Sequence, residues 1–247
     1  MTLQEFFEKH SKIALGFSGG VDSSYLLYSA VKAGADVRAY FVKSVFQPEF
    51  ELEDAKKVAA FCGTDITILH VDVLQAEIVA ENPPDRCYHC KQRIFGTILE
   101  QAARDGYHTI IDGTNASDQA DDRPGMKALQ EMEVLSPLRL CGLTKQDVRD
   151  LSREAGLMTW DKPAYACLAT RIQTGERITE EGLARVEKAE DALRQMGFSD
   201  LRVRKRGELG LVQVPEAQLP DAQNREGEIR NALQPYFQKV EIDEKGR

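Results

Sequence analysis

No stretch of this 247-residue sequence approaches the roughly 18 consecutive apolar residues that a membrane-spanning helix requires, so no membrane partner is expected. Residues 1–12 lack the basic-then-apolar order of a signal peptide and carry acidic side chains instead, which points to a cytoplasmic protein. Basic residues are outnumbered, 32 Lys and Arg against 40 Asp and Glu, giving a net charge of −8 and a pI near 5.2. A polyanion such as tRNA needs a basic surface, so nucleic acid is disfavoured as a partner; the local group Arg202, Arg204, Lys205 and Arg206 can still hold a small anion. Cysteine is scarce and odd in number, five in all, which argues against a disulfide framework and for ligands, nucleophiles or core residues. Internal repeats and low-complexity segments are also missing.

What is present is an ordinary globular composition, 42% hydrophobic and 29% charged, in a chain long enough for one large domain or two. Over the first 160 residues short apolar runs alternate with longer amphipathic ones, the pattern of an α/β fold with a mainly parallel sheet. Strands are predicted at 13–17, 37–42, 66–71, 109–112 and 134–135. Helices are predicted at 21–33, 51–61, 88–104 and 144–155, each ending before a glycine (Gly34, Gly63, Gly106, Gly156), with Thr144 and Asp147 forming a capping box. After Pro163 the rhythm changes to a helix at 179–196, short strands at 202–205 and 211–214, and a last helical stretch at 227–237. The expected organisation is therefore an α/β domain over 1–162 and a smaller α+β domain over 163–247.

The apolar run Ile13-Ala14-Leu15-Gly16-Phe17 leads straight into Ser18-Gly19-Gly20-Val21-Asp22-Ser23-Ser24 and then a helix. Glycines fall where backbone must approach a ligand closely, the first helical N–H groups point at an anion, and the hydroxyls of Ser18, Ser23 and Ser24 add donors. No lysine follows, so this is not the loop that grips β and γ phosphates for γ-transfer. Read without that ligand it is a small-residue turn entering a helix. A second stretch, Asp112-Gly113-Thr114-Asn115-Ala116-Ser117-Asp118, also follows a strand and should share the carboxyl edge of the sheet, although Asp-Gly before Asn is equally the signature of a turn.

Arg86-Cys87-Tyr88-His89-Cys90-Lys91 puts two thiols one turn apart near a helix N-terminus, where a thiolate is stabilised. A lone Cys-x-x-Cys is half a zinc site, a redox pair, or two ligands of an iron-sulfur cluster. Zinc would need two more ligands, such as Cys167 with His70 or His89; a cluster with one open iron would need Cys167 alone. Cys167 stands in Trp160-Asp161-Lys162-Pro163-Ala164-Tyr165-Ala166-Cys167-Leu168-Ala169-Thr170-Arg171, among basic and hydroxyl groups that favour thiolate formation. By itself a cysteine between Ala and Leu is more often a small buried hydrophobe. Cys62 and Cys141 fit no motif and are assigned to the core. Arg202 and Arg204 alternate on a predicted strand, so both point to one face, either solvated or suited to a phosphate or paired carboxylates.

The stretch Ser-Gly-Gly-Val-Asp-Ser at 18–23 resembles the PP-loop family, the N-type ATP pyrophosphatases. The resemblance implies an adenine-nucleotide α-hydrolase-like, Rossmann-like domain that uses ATP. Its loop, Ser18, Gly19, Gly20, Val21, Asp22, Ser23 and Ser24, would hold the departing pyrophosphate while an oxygen nucleophile attacks the α-phosphate. Asp22 would assist with magnesium or nucleotide, and Asp112, Gly113, Thr114 and Asn115 would line the nucleotide pocket. Together with Asn82 to Lys91, Arg123-Pro124-Gly125 and Pro163 to Arg171, the loop is similar to the ATP-dependent sulfur transferases of nickel-pincer nucleotide synthesis, in the lactate racemase cofactor pathway. That resemblance runs from about residue 17 to about residue 214, and the Cys167 segment is its most specific part. It implies a small nucleotide substrate, pyridinium-3,5-biscarboxylate mononucleotide, whose carboxylates become thiocarboxylates, and a homo-oligomer.

The chemistry needs two activities, because a carboxylate is a poor electrophile until AMP makes its oxygen a leaving group that sulfur can displace. In one version of the family, the cysteine matching Cys167 gives up its own sulfur and becomes dehydroalanine. In the other, three cysteines hold a 4Fe-4S cluster that carries a transferable sulfide, and Cys87, Cys90 and Cys167 supply all three. The cluster version is therefore expected, with Cys167, Asp22, Cys87 and Cys90 catalytic and Arg171, Arg202 and Arg204 on the substrate. Departures from the pattern are Arg206-Gly207 for His-Gly, Gln213 where relatives carry Glu, and Asp122 where an aromatic residue precedes Arg-Pro-Gly. These put the substrate preference in question. A tRNA thiolase of the same superfamily, an ammonia-using synthetase subunit and an ATP-sensing module are the alternatives.

Overall fold

The computed structural model of the chain describes residues 1–118 and 124–247, so Asp122 and Arg123 lie outside the described residues. Along the chain run α1 (Leu3–Lys9), β1 (Lys12–Gly16), α2 (Val21–Lys32), β2 (Asp36–Lys43), α3 (Glu49–Phe61), β3 (Ile66–His70) and α4 (Glu77–Ala80). Next come α5 (Arg86–Arg104), β4 (Ile110–Ile111), α6 (Pro124–Glu131), α7 (Pro137–Leu140), α8 (Lys145–Glu154) and α9 (Glu180–Gln195). The chain ends with β5 (Arg202–Arg206), β6 (Leu209–Gln213), α10 (Leu219–Asn224), α11 (Glu226–Leu233) and β7 (Lys239–Ile242). Two compact units result: Met1–Val73 with Asp85–Ala164, and Leu74–Pro84 with Tyr165–Arg247.

The first unit is built on a four-stranded sheet in the order β3-β2-β1-β4, all parallel, with Ile13 opposite Val37 and Leu15 opposite both Ala39 and Ile111. Ile13, Ala14 and Leu15 are wholly buried, because a central parallel strand covered on both faces has to be a continuous apolar run. Leu26, Leu27 and Ala30 of α2 close one face of that core, and Phe6 and Phe7 of α1 add roughly 1.5–3 kcal/mol each by burial. Helix α1 was not among the predicted elements, although Thr2 and Glu5 form a capping box at its start. The predicted strand at 134–135 is a single parallel bridge, Ile111 to Leu135. Cys62 and Cys141 pack against this core, where burial pushes the Cys62 thiol up to about 11 and the Cys141 thiol upward as well.

The second unit carries a sheet in the order β5-β6-β7, antiparallel then parallel. Leu183, Val186, Ala189 and Leu193 make one stripe of α9 and are buried, as are Val203 and Val212 of the hairpin and Ile229 and Leu233 of α11. The segment Leu74–Pro84 is tied in through backbone bonds from Gly175 N–H to the Asn82 carbonyl (2.8 Å) and from Ile178 N–H to the Ala80 carbonyl (2.7 Å). Among the described residues no helix is long and apolar enough to cross a membrane.

Candidate active site

Strands β1 and β4 are parallel neighbours, so the loops that follow them leave the same carboxyl edge, the edge at which α/β sheets collect ligands. After β1 the chain turns at Gly19 with φ +68°, a left-handed conformation, and a Cβ there would stand 3.0 Å from Ala55. Only glycine meets both demands. Gly20 then caps α2 with no side-chain hydrogen bond, and the first N–H groups of a helix have no acceptor inside it. The serines close the loop on itself with long bonds: Ser18 and Ser23 hydroxyls at 3.1 Å, Ser18 N–H to Ser23 Oγ and Ser23 Oγ to the Gly20 carbonyl at 3.3 Å, Gly20 N–H to Ser18 Oγ at 3.4 Å. Bonds of that length are weak, and an anion can replace them. Ser24 differs, being wholly buried with a hydroxyl that has no hydrogen-bond partner.

The turn after β4 meets this loop. A Cβ on Gly113 would lie 3.0 Å from the Ser23 nitrogen and 3.3 Å from the Asp22 Cβ, so the second turn packs on the first turn of α2 as closely as backbone allows. Asp112 is buried and accepts from Thr114 N–H (3.3 Å), the Thr114 hydroxyl and the Ser136 hydroxyl (2.6 Å), which fixes the turn. Asn115, also buried, donates Nδ2 to Asp22 Oδ1 at 3.2 Å. Ser18 to Ser23 and Asp112 to Asn115 are thus brought together.

Two lysines that sequence reasoning missed stand beside the loop. Lys145 at the start of α8 pairs with Asp22, while Lys162 donates to the Gly19 carbonyl at 3.3 Å and pairs with Asp54 at 2.9 Å. Both contacts span more than a hundred positions of sequence, 123 and 143, so no local pattern announces them. Cys87 and Cys90 open α5 in the same unit, Cys87 exposed with Arg86 Nη2 at 3.5 Å from its sulfur, Cys90 buried.

In the second unit Cys167 is half-buried and precedes a 3₁₀ turn, Leu168–Arg171. Its carbonyl accepts from the Thr170 hydroxyl at 2.9 Å and Arg171 Nη1 at 3.4 Å, and Arg171 also donates to the Ala166 carbonyl at 2.6 Å. Arg171 is wholly buried in an ion pair with Glu190, 2.8 Å from its Nε. Glu190 further accepts from Tyr165 (2.6 Å), Arg194 (3.2 Å) and Val203 N–H (3.0 Å). Burial, then the Glu190 charge, pushes the Tyr165 hydroxyl well above its ordinary range. The signal that could have found Glu190 was a charge set in the apolar stripe of α9 beside Ala189 and Leu193.

Arg202 and Arg204 part company. Arg202 is buried, donates to the Leu201 carbonyl (2.7 Å) and lies over the Tyr165 ring at 4.8 Å; burial lowers its guanidinium to about 10, still charged at neutral pH. Arg204 donates to Gln213 (2.8 Å) and the Thr170 carbonyl (2.6 Å) and lines a cavity of about 520 Å³ with Thr170, Thr174, Lys205 and Arg206. That cavity is strongly basic, with Arg206 exposed at its edge and Lys205 paired to Glu176.

For a metal cluster, the thiols are right in kind. However, among the described residues no three His, Cys, Asp or Glu side chains gather as a metal-holding group, and Cys167 belongs to a different unit from Cys87 and Cys90.

A glycine turn without a lysine of its own thus joins a parallel strand to a helix, the arrangement expected of a PP-loop ATP pyrophosphatase. The asparagine synthase family model matches residues 8–103. A pyridinium-3,5-bisthiocarboxylic acid mononucleotide synthase of Lactiplantibacillus plantarum is 31% identical over 98% of this chain and 89% of its own length. An uncharacterized Synechocystis protein is 36% identical over 88% of this chain and 81% of its own, and a tRNA-specific 2-thiouridylase of Thermotoga maritima is 25% identical over 59% and 52%. The chain belongs to the family of that mononucleotide synthase, a sulfur-transferase branch of the PP-loop ATP pyrophosphatases.

Proposed function

We propose that this enzyme adenylates a carboxylate of pyridinium-3,5-biscarboxylate mononucleotide and converts it to a thiocarboxylate, the sulfur insertion of nickel-pincer cofactor synthesis. The observation that carries the reading is the meeting of the glycine turn with Asp112–Asn115 at the start of α2, in a chain that matches such a synthase over 98% of its length. The substrate carboxylate oxygen attacks the α-phosphorus, the α–β phosphoanhydride breaks, and pyrophosphate departs into the N–H groups of α2 and the hydroxyls of Ser18 and Ser23. Asp22 is the residue that would hold magnesium carried with the nucleotide. The basic cavity lined by Arg171, Arg204, Lys205 and Arg206 suits the substrate's phosphate; Arg171 also holds the Cys167 segment through the Ala166 and Cys167 carbonyls, and Arg202 lies over the Tyr165 ring of the same segment.

Sulfur delivery has two forms. When bound, a 4Fe-4S cluster held by Cys87, Cys90 and Cys167 would supply a sulfide at its open iron. The other form needs Cys167 alone: its sulfur attacks the acyl carbon and expels AMP, then its Cβ–Sγ bond breaks with loss of the Cα proton, leaving dehydroalanine and thiocarboxylate. Incubation with ATP and the dicarboxylate should yield AMP and pyrophosphate; ADP and orthophosphate would refute the proposal. Cys167→Ala should keep adenylation and lose thiocarboxylate. Anaerobic reconstitution with iron and sulfide, followed by iron counting, separates the two forms: iron in wild type and none in Cys167→Ala selects the cluster, whereas active iron-free enzyme selects Cys167 alone.

A further inference from the structure

The peptide that joins Gly19 to Gly20 is planar, so its carbonyl and its N–H point in opposite directions, and whatever holds one aims the other. Between two glycines such a unit turns over at little steric cost. Here it is held. Lys162 Nζ donates to the Gly19 carbonyl at 3.3 Å, while the Gly20 N–H, at the far end of the same peptide, reaches Ser18 Oγ at 3.4 Å. The lysine thus keeps one N–H at the entrance of α2 on a weak partner that an anion can replace. With the unit reversed, a carbonyl oxygen would face the incoming phosphate where a donor is needed.

Lys162 is in turn fixed by an arginine of α8. Arg149 donates Nη1 to the Trp160 carbonyl at 2.7 Å and Nη2 to the Lys162 carbonyl at 2.8 Å, eleven and thirteen positions on. A planar guanidinium can span two acceptors in this way; an ammonium reaches them only as a point charge. At its other end Lys162 pairs with Asp54 of α3 at 2.9 Å, beside Ala55, the residue on which Gly19 packs. The Lys162 side chain is only 16% exposed, so backbone, Asp54 and the Gly19 carbonyl together define where it lies. Arg153, one turn further along α8, touches the same segment through the Trp160 ring, at 5.1 Å.

We propose that Arg149 is a positioning residue for the phosphate loop: by fixing the segment 160–162 it keeps Lys162 on the Gly19 carbonyl and the Gly20 N–H aimed at pyrophosphate, which rests on the reading that this loop takes ATP and releases pyrophosphate. Gly19-Gly20 is the single Gly-Gly pair in the sequence. Glycine carrying carbon-13 in its carbonyl and nitrogen-15 in its amide therefore gives one carbonyl-to-amide correlation, that of this peptide. Full-length wild type, Arg149→Met, Arg149→Lys, Lys162→Met, Arg149→Met combined with Lys162→Met, and Arg153→Met are compared by that resonance and by calorimetric titration with inorganic pyrophosphate. Arg149→Met should move the carbonyl line upfield, as Lys162→Met does, and weaken pyrophosphate binding by about tenfold. The double variant should bind within about twofold of Lys162→Met, because both substitutions release the same carbonyl. Arg149→Lys should recover part of the loss, and Arg153→Met should stay within about twofold of wild type. An unmoved carbonyl line or unchanged pyrophosphate binding in Arg149→Met would overturn the proposal. So would losses that multiply in the double variant, the mark of two independent charges, or an equal loss in Arg153→Met, the mark of a loosened α8. The reaction itself is judged separately, by AMP against ADP formed in wild type, so either reading can fail alone.

Discussion

Single residues set the site's tolerances. At Gly113 the chain passes so close to α2 that one methyl group has no room, since its neighbour is backbone and cannot yield. Gly113→Ala should therefore push the Asp112–Asn115 turn off α2, breaking the Asn115–Asp22 bond and weakening ATP binding by about tenfold or more while the protein still melts cooperatively. Equilibrium binding of a fluorescent ATP analogue checks this, and wild-type affinity would show that the close approach has no part in the site. Glu190 is the matching position in the second unit. It is wholly buried and takes hydrogen bonds from Arg171, Arg194, Tyr165 and the Val203 N–H, so removing it strands buried cations. Glu190→Ala should cost about 3–5 kcal/mol in urea denaturation, the toll of an uncompensated buried charge. A loss under about 1 kcal/mol would mean that the arginines find water, and that the carbonyl clamp on Cys167 does not depend on this carboxylate.

At the scale of elements, β2 and the end of α5 are joined by a polar clamp that runs from buried Tyr40 out to partly exposed Asp105 and exposed Arg38. Tyr40, wholly buried, donates its hydroxyl to Asp105 at 2.8 Å, and Arg38 pairs with the same carboxylate at 2.9 Å. The Tyr40 hydrogen bond, ahead of the other contacts, holds the Asp105 carboxyl below its usual range. A depressed carboxyl favours the folded state when ionised, so its contribution is present above the unfolded value near 3.9 and is lost as pH falls through the folded one. Tyr40→Phe should lower stability at neutral pH, with the gap to wild type closing as the pH drops below about 4. Denaturant titrations at several pH values read it directly, and a gap that widens in acid would reverse the sign of the argument.

Elements of this kind also mark how much the sequence disclosed. The strands β1 to β3, the helices α2, α5, α8 and α9, the glycine turn and its partner at Asp112 were legible, because each rests on local periodicity, a cap or a turn that a dozen residues suffice to write. Helix α1 carried a readable signal in Thr2 and Glu5. Strand β7 carried almost none: four residues at a sheet edge, two of them charged. Lys145, Lys162 and the hub at Glu190 depend on contacts across 123, 143 and 19 positions, where composition and spacing have no purchase. The parting of Arg202 from Arg204 is of the same kind, since alternation predicts a shared face but not which guanidinium a neighbouring aromatic ring will cover.

For the molecule as a whole, the second unit is not a continuous piece of chain. Leu74–Pro84 interrupts the first unit's sequence and supplies buried Val79, Ala80 and Asn82 to the second. Asn82 Nδ2 donates to the Gln173 carbonyl at 2.9 Å and the Glu176 carbonyl at 3.3 Å, its own carbonyl takes Gly175 N–H, and Glu77 pairs with Arg177. A fragment of residues 163–247, cut where composition alone suggests a boundary, would lose this segment. Gly175 and Ile178 would lose their backbone acceptors, and the surface beneath Val79 and Ala80 would face water, at about 25 cal/mol per Å² of apolar area uncovered. Small units have little stability to spare, so the fragment should give a collapsed amide spectrum and no cooperative melt. The same fragment with residues 74–84 joined through a flexible linker should recover both dispersion and cooperativity. A well-dispersed spectrum from 163–247 alone would show that the inserted segment only decorates a fold that stands without it.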